Sequence, residues 1–147
     1  MACEFKVTRR VEFSDTDLAG IMHYSNFFRF METAEHAFYR SLGFSVAPGS
    51  ASPEIGWPRV HAKCDFKKPL RFEDEVEIHL LVTHKRSKVI SYEFRFRKLN
   101  APTPEEVARG YLTIVCVGYR PDGAMHATPI PKDISDKIQV APADLLR

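Results

Sequence analysis

The fold is decided by residues 14–44, which read SDTDLAGIMHYSNFFRFMETAEHAFYRSLGF. The stretch opens with two aspartates, Asp15 and Asp17, and continues into a small-residue turn that ends at Gly20. From Ser25 onward, apolar residues recur at helical spacing. The stretch therefore predicts an acidic turn that leads directly into a helix.

The predicted helix runs from Ser25 to Leu42, and Gly43 fits the left-handed position that ends many helices. One face carries an apolar stripe made of Phe27, Met31, Ala34, Phe38 and Leu42. At about 1.5 Å per residue the helix is roughly 27 Å long. The stripe indicates an amphipathic helix that packs on a sheet.

The N-terminal end of this helix is a candidate site. Such an end presents unpaired N–H groups and a partial positive charge, so it can hold a carbonyl oxygen that becomes an anion. A carboxylate delivered there by Asp17 can act as a base or a nucleophile. Aspartate also caps turns, so a purely structural role for Asp17 is the alternative.

Length and composition favour one globular domain over residues 1–147, with 44% hydrophobic residues. The net charge of +2 gives no general argument for binding to nucleic acid or to a membrane. No run has the length of a signal peptide core or a membrane span, so the expected location is the cytoplasm. The distant cysteines Cys3, Cys64 and Cys116 are expected to be reduced.

Strands dominate the rest of the chain. Alternating apolar residues predict a first strand from Phe5 to Phe13 and later strands at residues 60–66, 76–82 and 89–99. The run from Val107 to Tyr119 is the most apolar and predicts a strand buried on both faces. A short strand at residues 125–128 and a short helix at residues 131–138 are further expectations. The pattern predicts an α+β fold in which an antiparallel sheet wraps the helix.

The loop at residues 45–58 contains three prolines and the single tryptophan, Trp57. Such a loop is either a lid over a pocket or a surface crossing. The histidines and cysteines lack the spacing of metal ligands, so we expect no metal site. A serine-hydrolase elbow and a glycine-rich phosphate loop are also missing from the sequence.

The segment VEFSDTDLAGIMHYSNFFRFMETA, residues 11–34, resembles the hotdog-fold acyl-CoA thioesterases. The similarity is to the branch of 4-hydroxybenzoyl-CoA thioesterase and its YbgC-like relatives, whose motif is D-x-D-x-x-G before a helix. Weaker matches are FKKPLRFEDEVEI at residues 66–78 and the pair Arg86-Ser87. The resemblance implies a sheet of about five strands around one long central helix.

The resemblance also implies roles for single residues. The acid at Asp17 is the nucleophile or general base, and the backbone N–H of Tyr24 polarises the thioester carbonyl. YbgC-like members commonly have tyrosine before histidine where this chain has His23 before Tyr24. His23 therefore contacts the acyl group, orients Asp17 or is simply packed, and these alternatives stay open. Asp15 is expected to be structural, and Glu32 on the helix is the second candidate acid.

The basic turn Lys85, Arg86, Ser87 and Lys88 is either a solvated hairpin or a clamp for the phosphates of coenzyme A. The resemblance further implies a homodimer or a dimer of dimers, with the sites at the dimer interface. The sequence thus predicts hydrolysis of an acyl-CoA thioester to acid and CoA without a cofactor. The alternative is a module of the same fold that binds acyl-CoA or an acyl carrier without turnover.

Overall fold

The computed structural model describes residues 1–51 and 53–147. These residues form two helices, α1 (Ser25–Ser41) and α2 (Lys132–Ser135), besides a short 3-10 turn at Phe13–Asp15. The strands are β1 (Glu4–Arg10), β2 (Arg59–Phe66), β3 (Glu75–Lys85), β4 (Val89–Lys98), β5 (Glu105–Val115), β6 (Val117–Tyr119) and β7 (Met125–Ala127). In the described ranges, no helix is long and apolar enough to cross a membrane.

Five strands form one antiparallel sheet in the order β1-β3-β4-β5-β2, which confirms the predicted antiparallel sheet. The hairpins β3–β4 and β4–β5 join strands that follow each other in the chain. The strand β2 pairs with β5 and lies at one edge of the sheet that the described residues form, with most of its own residues exposed. Its outer backbone groups are therefore available for another strand.

The helix α1 packs its apolar stripe against one face of the sheet. Phe27, Met31, Ala34 and Phe38 are all buried in the main core. Burial of a large apolar side chain contributes about 1.5–3 kcal/mol, so this stripe holds the helix in place. Gly110 on β5 leaves room for the Met31 side chain, since a Cβ there would overlap its thioether. The helix ends at Ser41, and Gly43 adopts a φ of 94° as the sequence predicts.

Two strand predictions were wrong in detail. The apolar run at 107–119 divides at Cys116, because the Cys116 N–H bonds to Lys88 and the following residues pair with β7 instead. The expectation that this run is buried on both faces also fails, since burial alternates along β5 from Gly110 onward. The first strand ends at Arg10, and Phe13 lies exposed in the 3-10 turn.

Candidate active site

Asp17 sits at the start of a tight turn between two short paired segments. Thr16 and Met22 form an antiparallel bridge, and the Asp17 N–H donates to the carbonyl of Ile21. Gly20 closes the turn with a φ of 77°, a left-handed conformation that glycine adopts without strain. One carboxylate oxygen of Asp17 accepts the Ala19 N–H at 2.8 Å. The carboxylate is exposed, so its other oxygen remains available for chemistry.

Asp15 anchors the turn to the beginning of α1. Its carboxylate accepts the N–H of Glu12, while its backbone carbonyl accepts the N–H of His23 at 2.8 Å. The same carbonyl accepts the side-chain amide of Asn26, a buried residue of the first helical turn. These contacts give Asp15 the structural role that was expected of it.

Asp17 and Tyr24 line one open pocket of about 400 Å³ at the N-terminal end of α1. The rest of its wall combines residues from the turn, the helix and the end of β2: Ile21, Met22, Phe27, Phe66, Lys67, Lys68 and Pro69. The rings of Phe27 and Phe66 meet edge to face with centroids 5.0 Å apart. The pocket thus combines one carboxylate with a mainly apolar and aromatic wall.

The Tyr24 N–H is the donor that the start of the helix leaves unused. The Ser25 N–H donates to the His23 ring, the Asn26 N–H to the His23 carbonyl, and the Phe27 N–H to the Tyr24 carbonyl. In the described part of the chain, no acceptor takes the Tyr24 N–H. A free backbone donor at a helix N-terminus is suited to an oxygen that gains negative charge.

His23 faces the helix and not Asp17. Its Nδ1 lies 2.7 Å from Ser25 Oγ, and its ring stacks on Tyr24 with centroids 4.5 Å apart. Among the described residues, no hydrogen bond joins His23 to Asp17. The geometry therefore does not favour the alternative in which His23 orients the carboxylate.

The basic turn lies at the other end of the sheet. The turn at residues 85–88 directly precedes Val89, which pairs with Val115 at the end of β5. The Asp17 pocket lies at the opposite end of the strands, where β2 ends at Phe66. A strand of ten residues, such as β4, separates the two ends by about 30 Å. Within one chain, the structure does not bring the turn at residues 85–88 to Asp17.

Lys85 is engaged inside its own chain. Its ammonium donates to the carbonyls of Ser135 and Ile138 at 2.6 and 2.7 Å, which ties the sheet to the end of α2. The other side chains of the turn are exposed: Arg86, Ser87 and Lys88.

Trp57 and Glu32 also lie outside the Asp17 pocket. Trp57 is half-buried, and its ring meets that of Tyr39 near the C-terminal end of α1 at 6.1 Å. Glu32 is 56% exposed, and its carboxylate lies 3.8 Å from the ring of His36. Both residues border a second, polar depression of about 310 Å³ beside Arg59.

A buried ion pair that the sequence analysis did not single out connects α1 to β2. Glu35 is buried on the helix, and Arg59 donates to both of its carboxylate oxygens, one of them at 3.1 Å. Burial raises the pKa of Glu35, while the neighbouring Arg59 opposes that rise. Glutamate on a helix and arginine at the start of a strand are each ordinary, so no sequence signal identified the pair.

A model of the thioesterase-like superfamily matches residues 11–138, which include the acidic turn, α1 and four strands of the main sheet. The chain belongs to this superfamily. A 1,4-dihydroxy-2-naphthoyl-CoA hydrolase of Synechococcus sp. strain WH7803 is 32% identical over 119 residues, covering 76% of this chain and 75% of that protein. A shorter match, to an Aquifex aeolicus protein, spans 59% of that protein at 45% identity.

Solved structures of this superfamily have the same architecture. A gentisyl-coenzyme A thioesterase is 32% identical with a TM-score of 0.76, covering 89% of this chain and 99% of that one. The 4-hydroxybenzoyl CoA thioesterase from Pseudomonas sp. strain CBS-3 reaches a TM-score of 0.81 at 21% identity, covering 92% and 99%. The second likeness shows the shared fold alone. Together the matches confirm the predicted membership and the hotdog-type antiparallel fold.

Proposed function

We propose that this chain is an acyl-CoA thioesterase that hydrolyses its substrate in the pocket of Asp17 and Tyr24. One observation carries the proposal: Asp17, with an exposed carboxylate, and Tyr24, whose backbone N–H has no acceptor among the described residues, line the same largely apolar pocket. Membership of the thioesterase-like superfamily and a relative named as a CoA hydrolase support it. In this proposal the sheet curls around α1 as the central helix of a hotdog fold.

The proposed chemistry starts with the thioester oxygen on the Tyr24 N–H. The carbonyl carbon then faces Asp17, and negative charge that develops on oxygen is stabilised by the N–H and the helix dipole. In one route Asp17 attacks carbon, CoA leaves as the thiolate, and water hydrolyses the resulting mixed anhydride. In the other route Asp17 takes a proton from water, which attacks carbon directly while CoA leaves. Both routes yield the free acid and CoA.

The pocket wall favours an aromatic acyl group. The rings of Phe27 and Phe66 form one side, and Tyr24 is 65% exposed at the rim. Aromatic rings gain energy from edge-to-face and offset contacts beyond area burial. The names of two relatives, which refer to naphthoyl and gentisyl groups, agree with this substrate class. Comparison of kcat/KM for benzoyl-type and straight-chain acyl-CoA esters tests it.

The edge strand β2 supports a homodimer with composite sites. Antiparallel pairing of β2 with its copy, about a two-fold axis at its middle, puts the partner's Arg59 beside Phe66. The partner's Trp57 and its basic turn lie at that same end of its sheet. In such a dimer each Asp17 pocket receives a lid and a phosphate clamp from the other chain. A dimer of dimers is compatible with the same pairing.

Within the proposed clamp, Arg86, Ser87 and Lys88 would contact the phosphates of CoA. Their side chains are exposed, and arginine and lysine suit phosphate oxygens. Lys85 already bonds to two carbonyls, so it holds the turn in position. The cytoplasmic location, and the expectation that neither nucleic acid nor membrane is a partner, remain predictions.

Replacement of Asp17 tests the chemistry. Asp17→Asn keeps the size of the side chain and the bond to Ala19, yet removes the charge and basicity. We expect unchanged acyl-CoA affinity by calorimetry and a fall in thiol release of roughly a hundredfold or more. Asp15→Asn, which can still accept the Glu12 N–H, is the matched control and should lose far less. Near-normal kcat in Asp17→Asn would refute the assignment, and binding without thiol release by the unmodified protein would indicate a binding module.

Mixed dimers test the composite site. One chain carries Asp17→Asn and the other carries Arg86→Glu with Lys88→Glu. The two are mixed in denaturant, refolded together and assayed at low acyl-CoA concentration. If the clamp comes from the partner, each heterodimer regains one intact site, and random mixing restores about a quarter of normal activity. If clamp and carboxylate come from the same chain, mixing restores nothing. An acyl-pantetheine substrate, which lacks the nucleotide, should be nearly insensitive to the clamp variant.

A further inference from the structure

His23 makes more contacts at the start of α1 than the proposed chemistry uses. Its N–H donates to the Asp15 carbonyl, and its own carbonyl accepts the Asn26 N–H at 3.0 Å. Its ring nitrogen Nδ1 lies 3.2 Å from the Ser25 backbone nitrogen and 2.7 Å from Ser25 Oγ. The residue is therefore fixed through its backbone and its ring together.

The contact with Ser25 determines the tautomer of the neutral His23 ring. A backbone N–H can only donate, so Nδ1 must accept and carries no proton. The ring proton of the neutral form is then on Nε2. This i to i+2 contact is the same kind of link that asparagine side chains make in Asx turns. The ring also stacks on Tyr24 at an interplanar angle of 27°.

These contacts decide which helix donor is free. Without the ring of His23, the N–H groups of Tyr24 and Ser25 would both lack partners in the described part of the chain. With the ring in place, the Tyr24 N–H is the one of these two donors that still lacks an acceptor among the described residues. An oxyanion donor is effective only when it is aimed at the position that the charged oxygen will occupy.

We propose that His23 is a positioning residue. Its Nδ1 accepts a hydrogen bond from the Ser25 N–H and thereby directs the Tyr24 N–H into the Asp17 pocket. The proposal rests on the proposed thioesterase function. It assigns no proton transfer to His23. The competing role is a chemical one, in which Nε2 reaches the substrate.

Three substitutions separate the two roles, because asparagine and glutamine each reproduce a different ring nitrogen. His23→Asn puts an acceptor oxygen at the position of Nδ1, His23→Gln puts an amide near Nε2, and His23→Phe keeps the stacked ring without any acceptor. We expect His23→Asn to retain kcat within about threefold, while His23→Gln and His23→Phe lose about tenfold or more. KM for acyl-CoA should change by less than about threefold in all three variants, since the loss falls on the transition state.

Amide hydrogen exchange supplies a readout that does not depend on activity. The Ser25 amide should be protected in the unmodified protein and in His23→Asn, and should exchange about tenfold faster or more in His23→Phe. Activity in His23→Gln together with its loss in His23→Asn would overturn the proposal, as would equal activity in all variants. Equal Ser25 exchange in all variants would overturn it as well. If the unmodified protein hydrolyses no thioester, the proposed function fails, while the exchange data still report on the contact.

Discussion

Replacement of Arg59 by methionine should strongly destabilise the protein, because it leaves Glu35 buried without its partner. The Glu35 side chain is only 5% exposed and that of Arg59 is 31% exposed. Removal of one partner from a buried ion pair costs about 3–5 kcal/mol. The partial exposure of Arg59 favours the lower end, about 3 kcal/mol. For a chain of this size that loss lowers Tm by roughly 6–12 °C.

The pH dependence supplies a second, independent signature. Because burial raises the pKa of Glu35, the folded state binds a proton more readily than the unfolded state. The stability contributed by this protonation is complete below the unfolded pKa and is lost as pH rises through the folded pKa. The charge of Arg59 and its hydrogen bonds both lower the pKa of Glu35, and the variant loses both. The stability deficit of the variant should therefore be small in acid and grow towards neutral pH.

Urea denaturation at a fixed protein concentration, followed by circular dichroism at several pH values, measures both effects. Glu35→Gln completes a double-mutant cycle with Arg59→Met. The double variant, Glu35→Gln with Arg59→Met, should recover much of the stability that Arg59→Met alone loses. Burial and, to a smaller extent, the charge of Arg59 lower the pKa of the His36 ring, which lies 3.6 Å from Glu35, so the pH dependence of the comparison also contains the response of His36. A deficit below about 1 kcal/mol that does not vary with pH would refute the reasoning.

The turn glycine and the cysteines allow two further predictions. Gly20→Ala should cost about 1 kcal/mol in urea denaturation, because the added Cβ meets open space while the φ of 77° is unfavourable for alanine. Gly123→Ala is the control: its φ is 86°, its added Cβ also meets open space, and its stability cost should be about the same. Only Gly20→Ala should reduce thiol release. Burial raises the pKa of Cys64 to about 12 and that of Cys116 to about 11. Iodoacetamide at pH 8 should therefore alkylate both at least about a hundredfold more slowly than free cysteine, as peptide mass spectrometry can check, and rapid alkylation of either would contradict this burial.

The sequence could specify the parts of the site that depend on neighbouring residues. Gly20 and the two aspartates define a tight turn within a few residues, and the apolar stripe after Ser25 defines one helix. Backbone preferences and helical periodicity act over such short distances, so these elements were predicted correctly. The helix ends at Ser41, one residue earlier than the predicted Leu42.

Only the tertiary structure decided which distant segments meet. The end of β2 at Phe66 supplies a wall of the Asp17 pocket, and Arg59 reaches Glu35 across 24 positions of sequence. The sheet order also carries the basic turn away from Asp17 within one chain, so a phosphate clamp at this turn could serve the Asp17 pocket only from a second chain. Strand order and register depend on the simultaneous burial of many side chains, and no local pattern encodes that sum. The acidic turn and the helix therefore follow from sequence, whereas the pocket around them exists only once the sheet has packed against α1.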